Sequence, residues 1–152
     1  MKHLIVAARP EHAEVLTQIT IAAKRHWNYP ESWIQHWIPD LTISPEYIST
    51  HETWLAVVDD IPIGYYSLKE EKTLWLDNLW VKPEAMGRGI GKGLFHHALE
   101  RSRARGASIL KIEADPNAQP FYEHVGARKV GENQRGEMDG QPRILPLMEI
   151  KL

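Results

Sequence analysis

The 152-residue sequence contains no cysteine. That absence removes disulfides, thiolate nucleophiles and cysteine-ligated zinc or iron–sulfur centres together, and it is typical of a cytoplasmic chain. No long apolar run is present either. The longest near the start is Leu4 to Ala8, closed by Pro10, too short for a secretory leader, and nothing approaches the roughly 18 apolar residues of a membrane span. Charge of one sign is also missing: Lys plus Arg number 18 against Asp plus Glu 20, a net charge of -2. A protein that held nucleic acid through its phosphates would need a basic surface, so neither nucleic acid nor membrane is an expected partner. What remains is ordinary for a globular protein, with 43% hydrophobic and 25% charged residues. The length predicts one domain over 1–152 with a core large enough to need no metal.

Patterning predicts alternating strands and helices. Leu4 to Ala8 reads as a strand, and Arg9-Pro10-Glu11 introduces a helix whose apolar positions Val15, Leu16, Ile19, Ala22 and Ala23 recur at helical spacing. Its basic end, Lys24-Arg25-His26, suits a helix C-terminus. Trp27 to Trp37 holds three of the six tryptophans and spans the break at Tyr29-Pro30 and a short helix from Glu31 to Ile38. Its rings can serve as a core face or as an aromatic wall for a ligand. Ser44-Pro45-Glu46 caps another short helix through Thr50. Trp54 to Val58 and Ile63 to Leu68 flank an Asp59-Asp60 turn. Lys69 to Lys72 is a charged turn before a strand from Leu74 to Val81. A loop from Pro83 to Gly91 precedes a helix from Ile90 to Arg105 closed by Gly106, then a strand from Ser108 to Ala114, parallel to the one at Leu74. A short helix near Ala118 and strands at Ala127 to Val130 and Ile144 to Ile150 complete a mixed α/β sheet.

The segment Met86-Gly87-Arg88-Gly89-Ile90-Gly91-Lys92-Gly93 lies between a strand and an amphipathic helix. Free amides at the helix start, glycines that let backbone approach a ligand, and the charges of Arg88 and Lys92 suit a phosphate. A flexible turn could use the same glycines. Two familiar phosphate loops fail on spacing. A nucleotide P-loop needs Ser or Thr after Gly91-Lys92, where Gly93 stands, and neither glycine pair that could open a dinucleotide pattern has its third glycine.

Leu79-Trp80-Val81-Lys82-Pro83-Glu84 leading into Gly87-Arg88-Gly89-Ile90-Gly91 and Leu94 resembles the acyl-CoA signature of the GNAT superfamily of N-acetyltransferases. Asn117-Ala118, Pro120-Phe121-Tyr122 and Gly126-Ala127 resemble that superfamily's second motif, in the expected order. The resemblance runs from about Leu4 to Leu152. It implies a single-domain α/β (α+β) fold with a mixed, mostly antiparallel central sheet, a parallel pair splayed around the acyl-CoA site, and helices on both faces. It further implies an acetyl-CoA-dependent N-acetyltransferase that moves an acetyl group to a primary amine of a small molecule or peptide by direct attack in a ternary complex. Acetyl-CoA or coenzyme A is then the co-substrate, and a homodimer is possible. A non-catalytic acyl-CoA sensor or interaction module is the alternative. Met86 departs from the family's usual Gln or Arg at the cost of at most one side-chain contact.

Carried over residue by residue, the resemblance gives Leu79, Trp80 and Val81 to the pantetheine arm, and Met86, Gly87, Arg88, Gly89, Ile90, Gly91 and Lys92 to the pyrophosphate. Asn117, Phe121 and Tyr122 also contact the coenzyme. Tyr122 takes the family position of the general acid, against a packing role; Asn117 could equally cap the helix at Ala118. Asp77, on the strand where relatives carry a carboxylate base, is the candidate base. Because Asp77 and Asn78 alternate on a regular strand, only one can face the cleft, and His26 is the substitute if Asp77 faces away. The adjacent His96 and His97 read as surface or packing residues. Acceptor selection falls to Trp27, Tyr29 and Trp33, whose faces suit an apolar or cationic acceptor, and to Asn133 to Gly140; Glu132, Glu137 and Asp139 read as a solvated acidic loop or as an attraction for an amine.

Overall fold

Short-range signals set most element boundaries. The computed structural model describes residues 2–152. The elements are β1 (Leu4–Ala7), α1 (Ala13–His26), α2 (Glu31–Leu41), α3 (Pro45–Thr50), β2 (Glu52–Val58), β3 (Ile61–Glu71), β4 (Thr73–Val81), α4 (Ile90–Ala104), β5 (Ile109–Glu113), α5 (Gln119–His124), β6 (Arg128–Met138) and β7 (Gln141–Lys151). Ser44 caps α3 as its sequence demands, its hydroxyl accepting from the Tyr47 N–H at 3.0 Å. Asp59 and Asp60 both take positive φ, 49° and 64°, the conformation of a tight turn matched to the twist of a hairpin.

Three expectations change. Lys69 to Glu71 continue β3, leaving only Lys72, at φ 58°, as the turn. α2 runs on to Leu41 with Pro39 inside it, a residue that cannot donate to the Gln35 carbonyl four positions back. Asn133 to Gly140 is no loop but the distal part of the β6–β7 hairpin, turning at Asp139 and Gly140. β6 is an edge strand, largely exposed and polar, so it lacks the apolar alternation that marks a buried strand.

The seven strands form one sheet in the order β1-β2-β3-β4-β5-β7-β6. Every neighbouring pair is antiparallel except β4 and β5, which run parallel and pair only at Leu74 with Leu110 and Trp75 with Lys111. Beyond those residues the strands part. One core packs α4 (Leu94, Phe95, Ala98) and Tyr122 of α5 against Leu68, Leu74, Leu76, Leu110 and Ile112. The other face carries a smaller core of Leu16 and Ile19 from α1 and Ile48 from α3 against Leu55 and Tyr65. Among the described residues no helix is long and apolar enough to cross a membrane.

β3 and β4 are pressed together where β4 leaves the pairing. A Cβ on Gly64 would lie 2.9 Å from the Trp80 carbonyl and 3.2 Å from the Leu94 side chain. Gly64→Ala therefore has to push β4 outward. The expected result is a stability loss of about 1–3 kcal/mol, read as a lower denaturant midpoint.

Candidate active site

α4 begins with an exposed row of amides. Gly87 and Gly89 hold φ of 77° and 80°, a left-handed conformation that only glycine adopts readily. A Cβ at either would meet nothing within 4 Å, so the space outside the loop is open. Gly89 is the residue before the helix, and the first intrahelical bond runs from the Gly93 N–H to its carbonyl at 3.0 Å. The N–H groups of Ile90, Gly91 and Lys92 thus have no helical acceptor. This first turn contains no acid and one lysine, the reverse of what a helix N-terminus prefers and what an anionic ligand there would favour.

A cavity of about 530 Å³ extends from this loop into the gap between β4 and β5. Of the residues expected from the sequence, Asp77, Leu79, Trp80, Val81, Met86, Gly87, Gly89, Gly91, Lys92, Asn117, Phe121 and Tyr122 line it, together with Trp27. The side chains of Arg88, Ile90, Tyr29 and Trp33 do not. Ile90 is turned into the core, 1% exposed, and can offer only its backbone. The Lys82 N–H donates to the Ile63 carbonyl at 2.8 Å. By alternation along the strand, the main-chain groups of Leu79 and Val81 face away from β3 and into the gap, where β5 no longer pairs with them. Tyr122 is 6% exposed, its ring packed on Phe95 and Phe121. Burial, reinforced by the charge of Asp115, pushes its phenol above the ordinary range.

A second, polar groove of about 230 Å³ is lined by Lys69, Glu71, Trp75, Leu76, Asp77, Glu113 and Arg135. Leu76, Asp77 and Glu113 line both spaces, so the two meet in the gap. Glu113 had no part in the sequence reading. It is held by Arg135, at 2.8 Å from Nε and 2.7 Å from Nη2, and by Asn133 at 2.8 Å. Burial works to raise its pKa, but these donors outweigh burial and hold the carboxyl below its usual value.

The expected alternation of Asp77 and Asn78 fails because of a bulge. Ser67 pairs with Asn78 and Leu68 with Leu76, leaving Asp77 as an extra residue. Both side chains reach the Tyr47 hydroxyl, so both look to the same face of the sheet. His26, the substitute base, is exposed at the end of α1 and lines neither space. His97 bonds the Tyr66 hydroxyl at 2.6 Å and packs on Trp54, whereas His96 is exposed.

The aromatic segment is engaged by the protein's own charges. Lys24 lies 4.7 Å from the Trp37 ring centre and 5.1 Å from that of Tyr29; Arg143 lies 4.9 Å and 5.0 Å from the same two. Both cations bond Asp115, Lys24 at 2.6 Å and Arg143 at 3.3 Å, and the Tyr29 hydroxyl donates to it at 3.0 Å. Asn117 is tied to the same carboxylate by its backbone N–H at 2.8 Å and its side chain at 3.0 Å, so it serves as part of the turn as well as lining the cavity. Trp33 stacks on Tyr29 and donates its indole N–H to Asp139 at 2.8 Å, joining α2 to the hairpin tip. Lys24, Asp115 and Arg143 are 91 and 28 positions apart along the chain in their two pairings with Asp115, and no local spacing announces them.

Burial opposes the charge of Asp115, but Lys24 and the hydrogen bonds of Asn117 and Tyr29 prevail and hold it below the usual carboxylate range. Burial also pulls Lys24 down, with Asp115 restoring part of the difference. The Asp115 contribution to stability is therefore fully present above its unfolded pKa of about 3.9 and is lost as pH falls through the lower folded value. Asp115→Asn strands two buried cations. The expected loss is about 3–5 kcal/mol at pH 7, with the gap to wild type narrowing below about pH 4, measured by denaturant unfolding at both pH values.

Comparison with known proteins gives this geometry a family. The acetyltransferase (GNAT) domain model matches residues 28–142. The peptidyl-lysine N-acetyltransferase YjaB of Salmonella typhimurium is 35% identical over 98 residues, 64% of this chain and 62% of that protein, so the chain spans less than two thirds of this relative's length. A GCN5-related N-acetyltransferase structure from Rhodopseudomonas palustris superposes with a TM-score of 0.83 at 25% identity, covering 100% of this chain and 97% of that one. The PaiA N-acetyltransferase of Thermoplasma acidophilum, solved with coenzyme A, shares the fold with a TM-score of 0.79 at 22% identity over 100% of both chains. The glycine loop at the head of α4, the strands that part beside it and the family match agree: the chain belongs to the GNAT acetyltransferases.

Proposed function

We propose that this protein transfers the acetyl group of acetyl-CoA to a primary amine by direct attack within a ternary complex. The observation that carries the proposal is the meeting of two unlike spaces at Asp77 and Glu113: a larger one running back to the glycine loop, and a polar one open to solvent on its far side. A coenzyme seated in the first would present its thioester where an amine arriving through the second could reach it. Acetyl-CoA supplies an activated acyl group, and no enzyme nucleophile is needed, in keeping with a chain without cysteine.

The backbone amides from Gly87 to Lys92 hold the pyrophosphate, with Lys92 adding charge, and Met86 contributes apolar contact where relatives use a polar side chain. The gap-facing groups of Leu79 and Val81 bind the amide-bearing arm as a fifth strand edge would. Asn117 and Phe121 close its far side. Asp77 accepts the proton that an ammonium must lose before it can attack. Tyr122 is the acid: with a pKa above the roughly 8.5 of a thiol, it keeps its proton until the sulfur carries developing charge, then stabilises that sulfur by donating to it.

The acceptor class is a free primary amine on a small molecule or peptide, and the name of the Salmonella relative makes a lysine side chain the first to try. The rings of Tyr29 and Trp37 already face Lys24 and Arg143, which leaves Trp27 as the aromatic of that segment set against the cavity. Carboxylates rather than ring faces therefore attract the amine. The cytoplasm, where acetyl-CoA is made, is the proposed setting. A sensor would require neither a carboxylate nor a phenol in the gap, and no observation favours that reading.

Two variants test the assignment. Gly89→Glu places bulk and negative charge at the phosphate seat and forces a side chain onto a left-handed residue. Calorimetric titration should show acetyl-CoA binding abolished in a protein that still folds; retained affinity would remove the loop from the site. Tyr122→Phe should lower kcat with a lysine peptide by about 100-fold or more, followed by free-thiol release, while coenzyme affinity holds within a few-fold. An unimpaired rate would return Tyr122 to packing.

A further inference from the structure

Tyr47, on α3, lies outside both motifs, yet its hydroxyl is the hub of a polar network beneath the Asp77 bulge. The hydroxyl contacts Asp77 Oδ2, Ser67 Oγ at 2.8 Å and Asn78 Nδ2 at 3.3 Å. Proton directions in this network are decided by chemistry. The Trp80 indole can only donate, and it donates to Asn78 Oδ1 at 3.0 Å. The amide orientation of Asn78 is thereby set, and its NH₂ donates to Ser67 Oγ at 3.0 Å and to the Tyr47 oxygen. A carboxylate can only accept, so the Tyr47 proton goes to Asp77. The donor chain runs one way, from Trp80 through Asn78 to Tyr47, with Ser67 alongside, and ends on Asp77.

We propose that Tyr47 is the positioning residue for Asp77: its phenol engages Oδ2, fixes the carboxylate on the bulge and leaves Oδ1 to take the proton of the acceptor amine. The proposal rests on the reading of Asp77 as the base. Three features of the structure support it. The bulge puts Asp77 and Asn78 on the one face where Tyr47 can touch both. The Tyr47 ring is clamped, stacked on His51 at 4.0 Å with 10° between planes, while its backbone N–H is held by Ser44. Burial first, and the adjoining Asp77 charge second, push the Tyr47 phenol far above neutrality, so it remains a donor throughout the working pH range.

A hydrogen bond to the charged form of a carboxylate favours that form, so loss of the Tyr47 phenol is expected to show in the pH dependence of the rate. The other charged or titratable groups facing Asp77 are Lys69 and Glu71 of β3, Glu113 of β5 and Arg135 of β6 around the groove, and the buried Tyr65 hydroxyl beneath it. Tyr65 is also coupled to Tyr47, and its burial keeps the phenol protonated with or without that neighbour.

The experiment is the pH dependence of kcat/KM for a lysine peptide in wild type, Tyr47→Phe and Asp77→Asn, with acetyl-CoA affinity of each measured by calorimetry. Tyr47→Phe should move the acid limb to higher pH by about one unit, lower kcat at neutral pH, and leave coenzyme affinity unchanged. Ser67→Ala, which deletes a neighbour of the phenol without touching Asp77, should move the limb in the same direction by less, and stands in if Tyr47→Phe fails to fold. An acid limb at the wild-type position in Tyr47→Phe, or in Ser67→Ala standing in for it, overturns the proposal. The reading beneath it fails separately: if Asp77→Asn keeps the wild-type limb, Asp77 is not the base, and Tyr47 has nothing to position.

Discussion

Parallel pairing between β4 and β5 ends after Leu74–Leu110 and Trp75–Lys111, and most of what distinguishes this protein chemically follows from that separation. A sheet interior normally satisfies every main-chain donor and acceptor. Where these two strands part, the gap-facing groups of Leu79 and Val81 lose their neighbour, and a cavity opens between carboxylates on opposite walls, Asp77 on β4 and Glu113 on β5. Three features keep the gap open. The bulge at Asp77 bends β4, the close fit of Gly64 against Trp80 anchors its departing end to β3, and the buried cluster on Asp115 pins the turn after β5 to α1 and β7.

The two ends of the gap carry contrasting electrostatics. At the head of α4, unsatisfied amides and Lys92 make a seat for negative charge. On the far side, Glu71, Asp77 and Glu113 collect negative charge, with Arg135 committed to Glu113 and Lys69 near Glu71 at 3.8 Å. On the proposed reading, an anionic donor and a cationic acceptor would be drawn to opposite mouths of one passage.

Much of this was legible in the residues. The Gly87 to Lys92 loop, flanked by an apolar strand and an amphipathic helix, stood out as a candidate phosphate seat, and the resemblance to the GNAT motifs named Tyr122 and Asn117, which the structure sets against the same cavity. The cap at Ser44 and the Asp59-Asp60 turn were equally plain, because their chemistry is local. What escaped was nonlocal or irregular. A bulge leaves no periodic trace, so strict alternation wrongly set Asp77 and Asn78 on opposite faces. Asp115, Lys24 and Arg143 meet only in three dimensions, and their union changes the meaning of the aromatic segment: Tyr29 and Trp37 face cations of the protein itself. Glu113 and Tyr47 carry no motif, and β6, polar along an edge, read as a strand only at its start, up to Val130.

The central claim is that acetyl-CoA occupies the gap with its phosphates on the head of α4. Amide hydrogen exchange with and without acetyl-CoA tests it most directly, since it reports each backbone segment separately. The account predicts slowed exchange at 86–92 and 79–81 on adding the coenzyme, with the β6–β7 tip at 136–141 unchanged. Exchange at 86–92 that stays the same under saturating acetyl-CoA, or protection confined to the hairpin, would contradict it.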